Sequence, residues 1–465
     1  MRDQIKEQAL FKESPMMQAI IRLAFPTVIG QIIMVVYNIA DAFFIGLTGS
    51  DAMVTAVTIC MPAFMLLSAI SNLFGIGGAS TISRALGSQK PDRARDTASF
   101  AFWGCLSVTL LYMLGVRIFM ELFIDALGGS NAAVHAHARS YLIVTVVIGG
   151  TFAAMSTFLS HLVRSEGRSV HASVGIAMGG ILNMLLDPLF MFVILPDGNE
   201  VLGAAVATLL SNMISMLYFI SVFLRSNGRS VLSIRFTSSM FKDGIPAAVF
   251  SCGLPACLMT LFENVSYAVL DNLMALNGIA MQAGIGIAKK INMLAHCIVR
   301  GMSQGVLPLI SFNYASGNRR RMKEAVTISM GISIALSALC MAVCLTFSSM
   351  LIGLFIRNGA ASVNYGASFL RILCIGAPFS ACAYTVITFF QAVGCGMKSF
   401  VLAIMRKGIL DIPMMFLLNA AYPIYGIVWA TPIADIICSM AAIHLFSAFL
   451  SKQTLHTEHA TQPCT

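Results

Sequence analysis

The sequence contains few charged residues. Only 11% of its 465 residues are Asp, Glu, Lys or Arg, whereas 58% are hydrophobic and the mean hydropathy is +0.84. This balance lies far outside that of a soluble globular domain. The protein is therefore predicted to be a membrane protein.

Motifs of several enzyme and metal-binding classes are also missing. The twelve cysteines form no CxxC pair, so neither zinc nor a disulfide framework is indicated. No HExxH or GxSxG motif occurs, and GCGMKS, residues 394–399, lacks the spacing of a phosphate-binding loop. HAHAR, residues 135–139, is interpreted as a solvated loop with too few ligands for a metal site. The sequence therefore predicts neither an enzyme nor a bound cofactor.

Long apolar runs recur along the whole chain. A helix needs about 20 residues to cross a hydrocarbon core of about 30 Å. Runs of this length are predicted at 20–46, 53–80, 97–124, 140–163, 170–195, 202–224, 245–275, 279–311, 325–356, 366–394, 399–420 and 424–450. The predicted fold is an all-α polytopic membrane protein with about twelve transmembrane helices.

Basic residues indicate the orientation of these helices, because Lys and Arg of short flanking loops tend to stay in the cytoplasm. The intervening loops carry only Arg139 and Arg357. The remaining flanking charges fall in the two tails and in every second loop: Arg2, Lys6, Lys12, Arg22, Arg84, Lys90, Arg93, Arg95, Arg164, Arg168, Arg225, Arg229, Arg235, Lys242, Arg319, Arg320, Arg321, Lys323, Lys398 and Lys452. Both termini are predicted to be cytoplasmic. The net charge of +9 follows from this orientation and indicates no nucleic-acid partner.

Five sequence landmarks occur twice, in the same order, at offsets of 223 to 230 residues. For example, GILNMLLDP at residue 180 aligns with GILDIPMMF at residue 408. Such repeats are typical of transporters in which two pseudo-symmetric halves surround a site near the middle of the membrane. We predict two six-helix lobes and their flanking segments: an N-lobe at 1–225, a cytoplasmic linker at 226–244, a C-lobe at 245–450 and a disordered cytoplasmic tail at 451–465.

Two acids of the first half lie inside predicted helices. Asp41 is on the first helix and Asp187 is on the fifth, where Asn183 precedes it by one turn on the same face. Thr208 lies on the sixth helix. A charge at the bilayer centre costs about 2.5–3.5 kcal/mol on insertion scales, so such residues normally face protein or water. Their oxygen atoms suit Na⁺ or a proton, and a structural role as helix caps or hydrogen-bonding partners stays open.

The acids of the second half occupy different positions. Asp411 and Asp435 align with Asn183 and Asn212, and Glu263 lies in LFENVSYAV on the seventh helix. Glu263 is a candidate contact for a cationic substrate, with a structural hydrogen-bonding role as the alternative. Three bases of the eighth helix are predicted to neutralise these acids: Lys289, Lys290 and Arg300.

Other side chains are candidates for substrate contact or movement. Pro26 removes a backbone hydrogen bond from the first helix, so it is either a hinge or an ordinary proline bend. Asn38 adds an uncharged polar side chain to the two acids of the first half. Aromatic faces for organic cations are available on Tyr37, Phe44, Phe152, Phe158 and Tyr267.

Four segments together resemble one family. YNIADAFFIG, GIGGASTISRALG, RSEGRS followed by GILNMLLDPLF, and LISFNYASGN are similar to the multidrug and toxic compound extrusion (MATE) family, in its prokaryotic DinF-like and MepA-like branch. The resemblance covers nearly the whole chain. It implies two lobes that form a V around a central cavity, and efflux of organic cations driven by inward Na⁺ or H⁺.

The resemblance also implies roles for individual residues. The N-lobe cation site of that branch falls on Asp41, Asn183, Asp187 and Thr208, and the bent first helix falls on Pro26. An acid of the C-lobe cation site in the NorM-like branch matches Glu263. The tenth predicted span carries no acid, so a complete C-lobe cation site is not expected.

Sequence and resemblance together predict a monomeric antiporter of the cytoplasmic (inner) membrane. It would export organic cations or drugs in exchange for H⁺ or Na⁺. The alternative is a lipid-linked precursor flippase of the same superfamily, which would favour a strongly cationic cavity. Lys289, Lys290 and Arg300 keep that alternative open.

Overall fold

The computed structural model describes residues 9–126, 131–225, 230–356 and 360–459, with side chains up to residue 451 except at 126. These ranges contain helices and connecting turns and no strand. The helices are α1 (Met16–Leu47), α2 (Asp51–Gly87), α3 (Pro91–Ile118), α4 (Met120–Ala126), α5 (Ala132–Leu142), α6 (Gly150–Ser165), α7 (Ser169–Leu189), α8 (Glu200–Arg225), α9 (Ile245–Ala275), α10 (Ile279–Ala315), α11 (Arg319–Gly353), α12 (Ala360–Ile375), α13 (Ala377–Val393), α14 (Gly396–Ile404), α15 (Ile412–Ala421) and α16 (Tyr425–His459). Three π-helical segments continue α-helices: Ile143–Ile148 after α5, Phe190–Ile194 after α7 and Met405–Asp411 after α14. A 3₁₀-helix, Ser238–Phe241, precedes α9.

Most of the helices are long and apolar enough to cross a membrane. Within the described ranges nine meet this requirement alone: α1, α2, α3, α7 with its π-helical segment, α8, α9, α10, α11 and α16. Two further predicted spans are bent pairs, since α5 with its π-helical segment meets α6 at 49° and α12 meets α13 at 42°. The span predicted at 399–420 is formed by α14, a π-helical segment and α15, and it holds three charges between apolar helices. The chain is thus a polytopic membrane protein.

Two local predictions are wrong. HAHAR is not a loop but part of α5, whose first turn is capped by Asn131 through a 2.9 Å hydrogen bond from the backbone nitrogen of Ala133. Arg164 is not a loop charge either, because it lies in the last turn of α6 and is only 2% exposed. A basic residue near a helix end has the same sequence signature whether it faces water or protein.

Some predictions fall outside the described part of the chain. The orientation charges there are Arg2, Lys6, Arg229 and Arg357, and the last residues of the predicted tail, 460–465, are also outside it. The helix α16 continues to His459, within the segment predicted to be disordered.

The two halves of the chain meet closely at one end of their helices. A Cβ atom on Gly253 of α9 would lie 1.8 Å from the carbonyl oxygen of Leu73 of α2. A Cβ atom on Gly301 of α10 would lie 2.6 Å from the Cα atom of Val28 of α1. Glycine at both places lets helix backbones touch directly. These contacts join the N-terminal parts of α1 and α9 to the C-terminal parts of α10 and α2.

The first described residues strengthen the same end. The ring of Phe11 stacks on that of Phe312 with centroids 5.2 Å apart, and Asn313 donates a hydrogen bond to the carbonyl oxygen of Phe11 at 3.2 Å. Arg321 donates to the carbonyl oxygen of Ser14 at 2.8 Å. The segment before α1 is therefore packed on helices of the second half.

Candidate functional site

A buried polar cluster lies between α7 and α8. The amide nitrogen of Asn183 donates to Oδ1 of Asp187 at 3.1 Å and to Oγ1 of Thr208 at 3.3 Å. Asp187 is fully buried and Asn183 is 3% exposed. The structure thus brings together three of the four residues that the sequence assigns to one cation site. The shared helix face of Asn183 and Asp187 is the feature that made this contact predictable.

The fourth residue, Asp41, lies one turn after Tyr37 on α1, and the ring of Tyr37 packs against Gly180 of α7. The carboxylates of Asp41 and Asp187 are near enough to interact electrostatically. Three oxygen atoms have no hydrogen-bond partner although they are buried: Oδ1 of Asp41, Oδ1 of Asn183 and Oδ2 of Asp187. All three are acceptors, and a buried acceptor without a donor costs about 1–3 kcal/mol. These three oxygen atoms therefore lack hydrogen-bond donors, and they suit a hard cation or H⁺.

Small residues of α7 allow α1 to approach. A Cβ atom on Gly180 would lie 3.0 Å from Cδ1 of Tyr37 and 3.1 Å from Cγ2 of Ile33. A Cβ atom on Gly30 of α1 would lie 3.5 Å from the Cα atom of Ser173. This close packing places the part of α1 that carries Tyr37 and Asp41 beside the buried amide and carboxylate of α7.

A cavity of about 60 Å³ adjoins the cluster. Its polar lining consists of Tyr37, Ser156, Thr157, Asn183, Thr208, Ser211, Asn212 and Ser215. This space is sufficient for a few water molecules, but a pocket for a drug-sized molecule has about 300–1,000 Å³. In this conformation the cavity suits an ion with its water rather than an organic substrate.

One base of the second half faces Asp41. The antiparallel helices α1 and α10 pack Gly305 against Ala24 and Gly301 against Val28, and continuing this register places Lys290 opposite Ile39, two residues before Asp41. The ammonium group of Lys290 and the carboxylate of Asp41 interact electrostatically. Lys290 also interacts electrostatically with Asp271 of the second half. Among the described residues it forms no ion pair with Glu263, Asp411 or Asp435, so the predicted pairing of Lys290 with one of these three acids is wrong.

Two other sequence-based pairings can also be compared with the structure. Arg300 donates to both carboxylate oxygens of Glu263, at 3.0 and 3.1 Å, as predicted. Lys289 instead donates to Asp271, which the sequence reading did not consider. Tyr384 adds hydrogen bonds to Glu263 at 3.4 and 3.5 Å.

The partners of Asp411 and Asp435 were missed by sequence reasoning. Lys407 donates to Oδ2 of Asp411 at 2.6 Å, and Arg406 donates to Oδ1 of Asp435 at 2.7 Å. Asp411 also accepts hydrogen bonds from two hydroxyl groups, those of Ser266 at 2.7 Å and Thr431 at 2.9 Å. The spacing of Lys407 and Asp411, four residues apart, was a signal available in the sequence.

The remaining candidates lie close to these groups. Asn38 donates to the carbonyl oxygen of Met34 in its own helix at 2.7 Å. The ring of Tyr267 has the ammonium groups of Lys289 and Lys407 at 5.2 and 5.7 Å from its centroid, so protein cations already occupy its face. Pro26 lies inside α1, within the turn between Ala24 and Val28 that packs on α10.

The protein is a polytopic helical bundle, and its buried acceptors without donors lie beside a cavity for a few water molecules. This is the organisation of a membrane transporter. The MatE family model matches residues 26–189 and 255–417, one match in each half of the repeat. Multidrug export protein MepA of Staphylococcus saprophyticus subsp. saprophyticus is 30% identical over 433 residues, which cover 93% of this chain and 94% of that protein. The protein of the same name in Staphylococcus aureus is 28% identical over 450 residues, covering 96% and 97%.

A solved structure shares the fold. It shows the outward-facing conformation of a multidrug resistance MATE family transporter of the MOP superfamily, and it superposes with a TM-score of 0.85 at 24% identity, covering 95% of this chain and 97% of that one. The chain belongs to the MATE family. The predicted family and fold class are thereby confirmed, as is the prediction of a transporter rather than an enzyme.

Proposed function

We propose that the protein is a secondary active exporter of organic cations and drugs, driven by inward movement of H⁺ or Na⁺. The main support for this proposal is that Asp41, Asn183 and Asp187 each have one buried acceptor oxygen without a hydrogen-bond donor. The names of the MepA relatives support drugs as the exported substrates. The protein works as a monomer in the cytoplasmic membrane with both termini in the cytoplasm.

The coupling cation binds where acceptors are in excess. H⁺ or Na⁺ is held by Asp187 and Asp41, while Asn183 orients the carboxylate of Asp187 and Thr208 holds the amide in turn. A bound cation draws the Asp41 end of α1 toward α7. The first turns of α1 stay packed on α10 where Gly305 meets Ala24, so α1 bends at Pro26, which lies between Ala24 and Asp41.

This bend changes the space beside Tyr37 and displaces the organic cation. One charge that moves through 100 mV supplies about 2.3 kcal/mol, which can shift a two-state equilibrium about 50-fold.

The domains are an N-lobe at 1–225, a linker at 226–244 and a C-lobe at 245–450. Their close contacts at the end predicted to be cytoplasmic correspond to a state open to the outside.

The second half supplies no equivalent cation site. The three buried acids among its described residues, Glu263, Asp411 and Asp435, already have basic partners at hydrogen-bonding distance. The same pairing argues against a lipid-linked precursor flippase, because the bases are neutralised and do not form a strongly cationic cavity. Export is therefore favoured over flipping.

Transport in proteoliposomes tests this function. Ethidium efflux is measured under a Na⁺ gradient alone and then under a pH gradient alone, for the wild type, Asp41→Asn and Asp187→Asn. The matched control is Asp51→Asn, which changes an exposed acid in the first turn of α2. We expect efflux under one gradient in the wild type and the control, and none in the two site variants. Undiminished efflux in both site variants would contradict the assignment of the coupling site to Asp41 and Asp187. Absence of wild-type efflux under either gradient would favour the lipid-linked precursor flippase.

A further inference from the structure

A buried guanidinium group lies where the two halves meet. Arg164 in the last turn of α6 is 2% exposed. Its Nη1 atom donates to Nδ1 of His161 at 3.2 Å, whereas Nε and Nη2 are buried without a hydrogen-bond partner. Within the part of the chain that the structure describes, no carboxylate forms an ion pair with it. Burial of a charge without a counter-charge costs several kcal/mol.

The hydrogen bonds around Arg164 have one consistent direction. Because a guanidinium group only donates, Nδ1 of His161 accepts, and Nε2 carries the proton that is donated to Oδ1 of Asn72 at 3.2 Å. The amide nitrogen of Asn72 then donates to Oγ1 of Thr260 at 2.9 Å, and that hydroxyl donates to the carbonyl oxygen of Ala256 at 3.0 Å. His161 is therefore neutral, and the chain of donors crosses from α2 in the first half to α9 in the second. None of its members compensates the charge of Arg164.

A small cavity of about 10 Å³ adjoins the guanidinium group. It is lined by residues of three helices: Ile76 and Ala79 of α2, His161 and Arg164 of α6, and Gln304, Leu307 and Pro308 of α10. This volume corresponds to one particle about the size of water. Water would accept hydrogen bonds from Nε and Nη2 but would leave the positive charge uncompensated. A small anion would accept these hydrogen bonds and would also compensate the charge.

We propose that this cavity binds one small monovalent anion of the halide class, held by Nε and Nη2 of Arg164. Because α2 and α6 belong to the first half and α10 to the second, the anion is enclosed only while the two halves touch at this end. Separation of the halves would open the cavity and expose the guanidinium group to water. Anion binding therefore stabilises the conformation described here and is separate from the cation site on α7.

Anion-dependent thermal unfolding of the purified protein tests the proposal. Melting temperatures are measured in sodium chloride, sodium bromide and sodium gluconate at equal Na⁺ concentration, which keeps any Na⁺ effect constant. The control for Arg164→Gln is Arg84→Gln, since Arg84 lies at the same end but donates to protein atoms of Ser80 and Thr81. We expect halides to raise the melting temperature saturably in the wild type and in the control, and not in Arg164→Gln. Equal stabilisation of Arg164→Gln, or no halide effect in the wild type, would overturn the site.

A second variant covers the case in which Arg164→Gln does not fold. Ala79→Leu fills the cavity and keeps the guanidinium group, so it should also lose the halide effect. Crystals grown in bromide give the direct measurement, because bromide scatters anomalously. We expect a bromide peak within hydrogen-bonding distance of Arg164 in the wild type and no peak in Ala79→Leu. Wild-type crystals without that peak would refute anion binding, whether or not the protein exports drugs.

Discussion

Gly77 of α2 and Gly253 of α9 face each other where the two helices cross. A Cβ atom on Gly77 would lie 3.1 Å from the Cα atom of Gly253 and 2.2 Å from the carbonyl oxygen of Val249. Both neighbours are backbone atoms, which cannot rotate away. We therefore expect Gly77→Ala to push the halves apart and to lower the free energy of unfolding by about 1–3 kcal/mol, measured by thermal unfolding together with ethidium efflux.

The control for that substitution is Gly331→Ala. Gly331 lies inside α11, and a Cβ atom there would meet no atom within 4 Å. Alanine at such a helix position stabilises by about 0.5–1 kcal/mol relative to glycine. The two variants should thus change stability in opposite directions, and equal effects would contradict direct backbone contact at Gly77.

Thr208→Val should weaken cation binding at the proposed coupling site without abolishing it. Valine has nearly the same shape as threonine but removes the hydroxyl group that accepts from Asn183. Loss of such a supporting group typically costs about 10- to 100-fold in cation affinity, so the Na⁺ or H⁺ concentration for half-maximal efflux should rise about tenfold or more. Thr58→Val is the control, because the Thr58 hydroxyl is exposed and donates only within its own helix. Equal half-maximal concentrations in the two variants would show that Thr208 does not support the site.

Lys290→Met should strengthen cation binding. The ammonium group of Lys290 attracts Asp41 and repels an incoming cation, so its removal should lower the half-saturating cation concentration about threefold to tenfold. The control is Lys289→Met, which breaks the pair with Asp271 and leaves the ammonium group of Lys290 in place. A weaker cation response in Lys290→Met, or the same response in both variants, would place Lys290 outside the coupling site.

The pair of Lys407 and Asp411 should behave as a coupled unit. Lys407→Met or Asp411→Asn alone leaves a buried charge without its partner and should destabilise by about 3–5 kcal/mol. The double variant removes both charges and should lose less than the sum of the single losses. Chemical unfolding of the four proteins in detergent measures this difference. Additive losses would show that the 2.6 Å contact contributes no coupling energy.

The fold and the cation cluster were predictable to different extents. Apolar length determines membrane spans, and helical periodicity places Asn183 and Asp187 on one face. Neither signal shows which helix packs against another. Arg300 could be named as a base for Glu263 because both lie inside apolar spans. Asp435 could not be matched with Arg406, because their contact depends on how α16 packs against the π-helical segment after α14.

Charge position was the least informative signal. Arg164 follows an apolar run and precedes a glycine, which is typical of a cytoplasmic loop, and only the packing of α2 and α10 on α6 shows that its guanidinium group is enclosed. The breaks within spans were also not predicted. Glycine is common in membrane helices, so Gly149 and Gly376 carried no distinct signal in the sequence.

These two glycines stand at matching places in the duplicated sequence. Gly149 separates the π-helical segment after α5 from α6, and Gly376 separates α12 from α13. They are 227 residues apart, which falls within the offsets of the repeat, and the two bends measure 49° and 42°. The simplest evolutionary history has the bend already present in a shorter ancestor, before its gene was duplicated and fused. Later divergence gave one copy the polar cluster of Asn183, Asp187 and Thr208 and the other a set of buried ion pairs, while the bend in the fourth predicted span of each copy was kept.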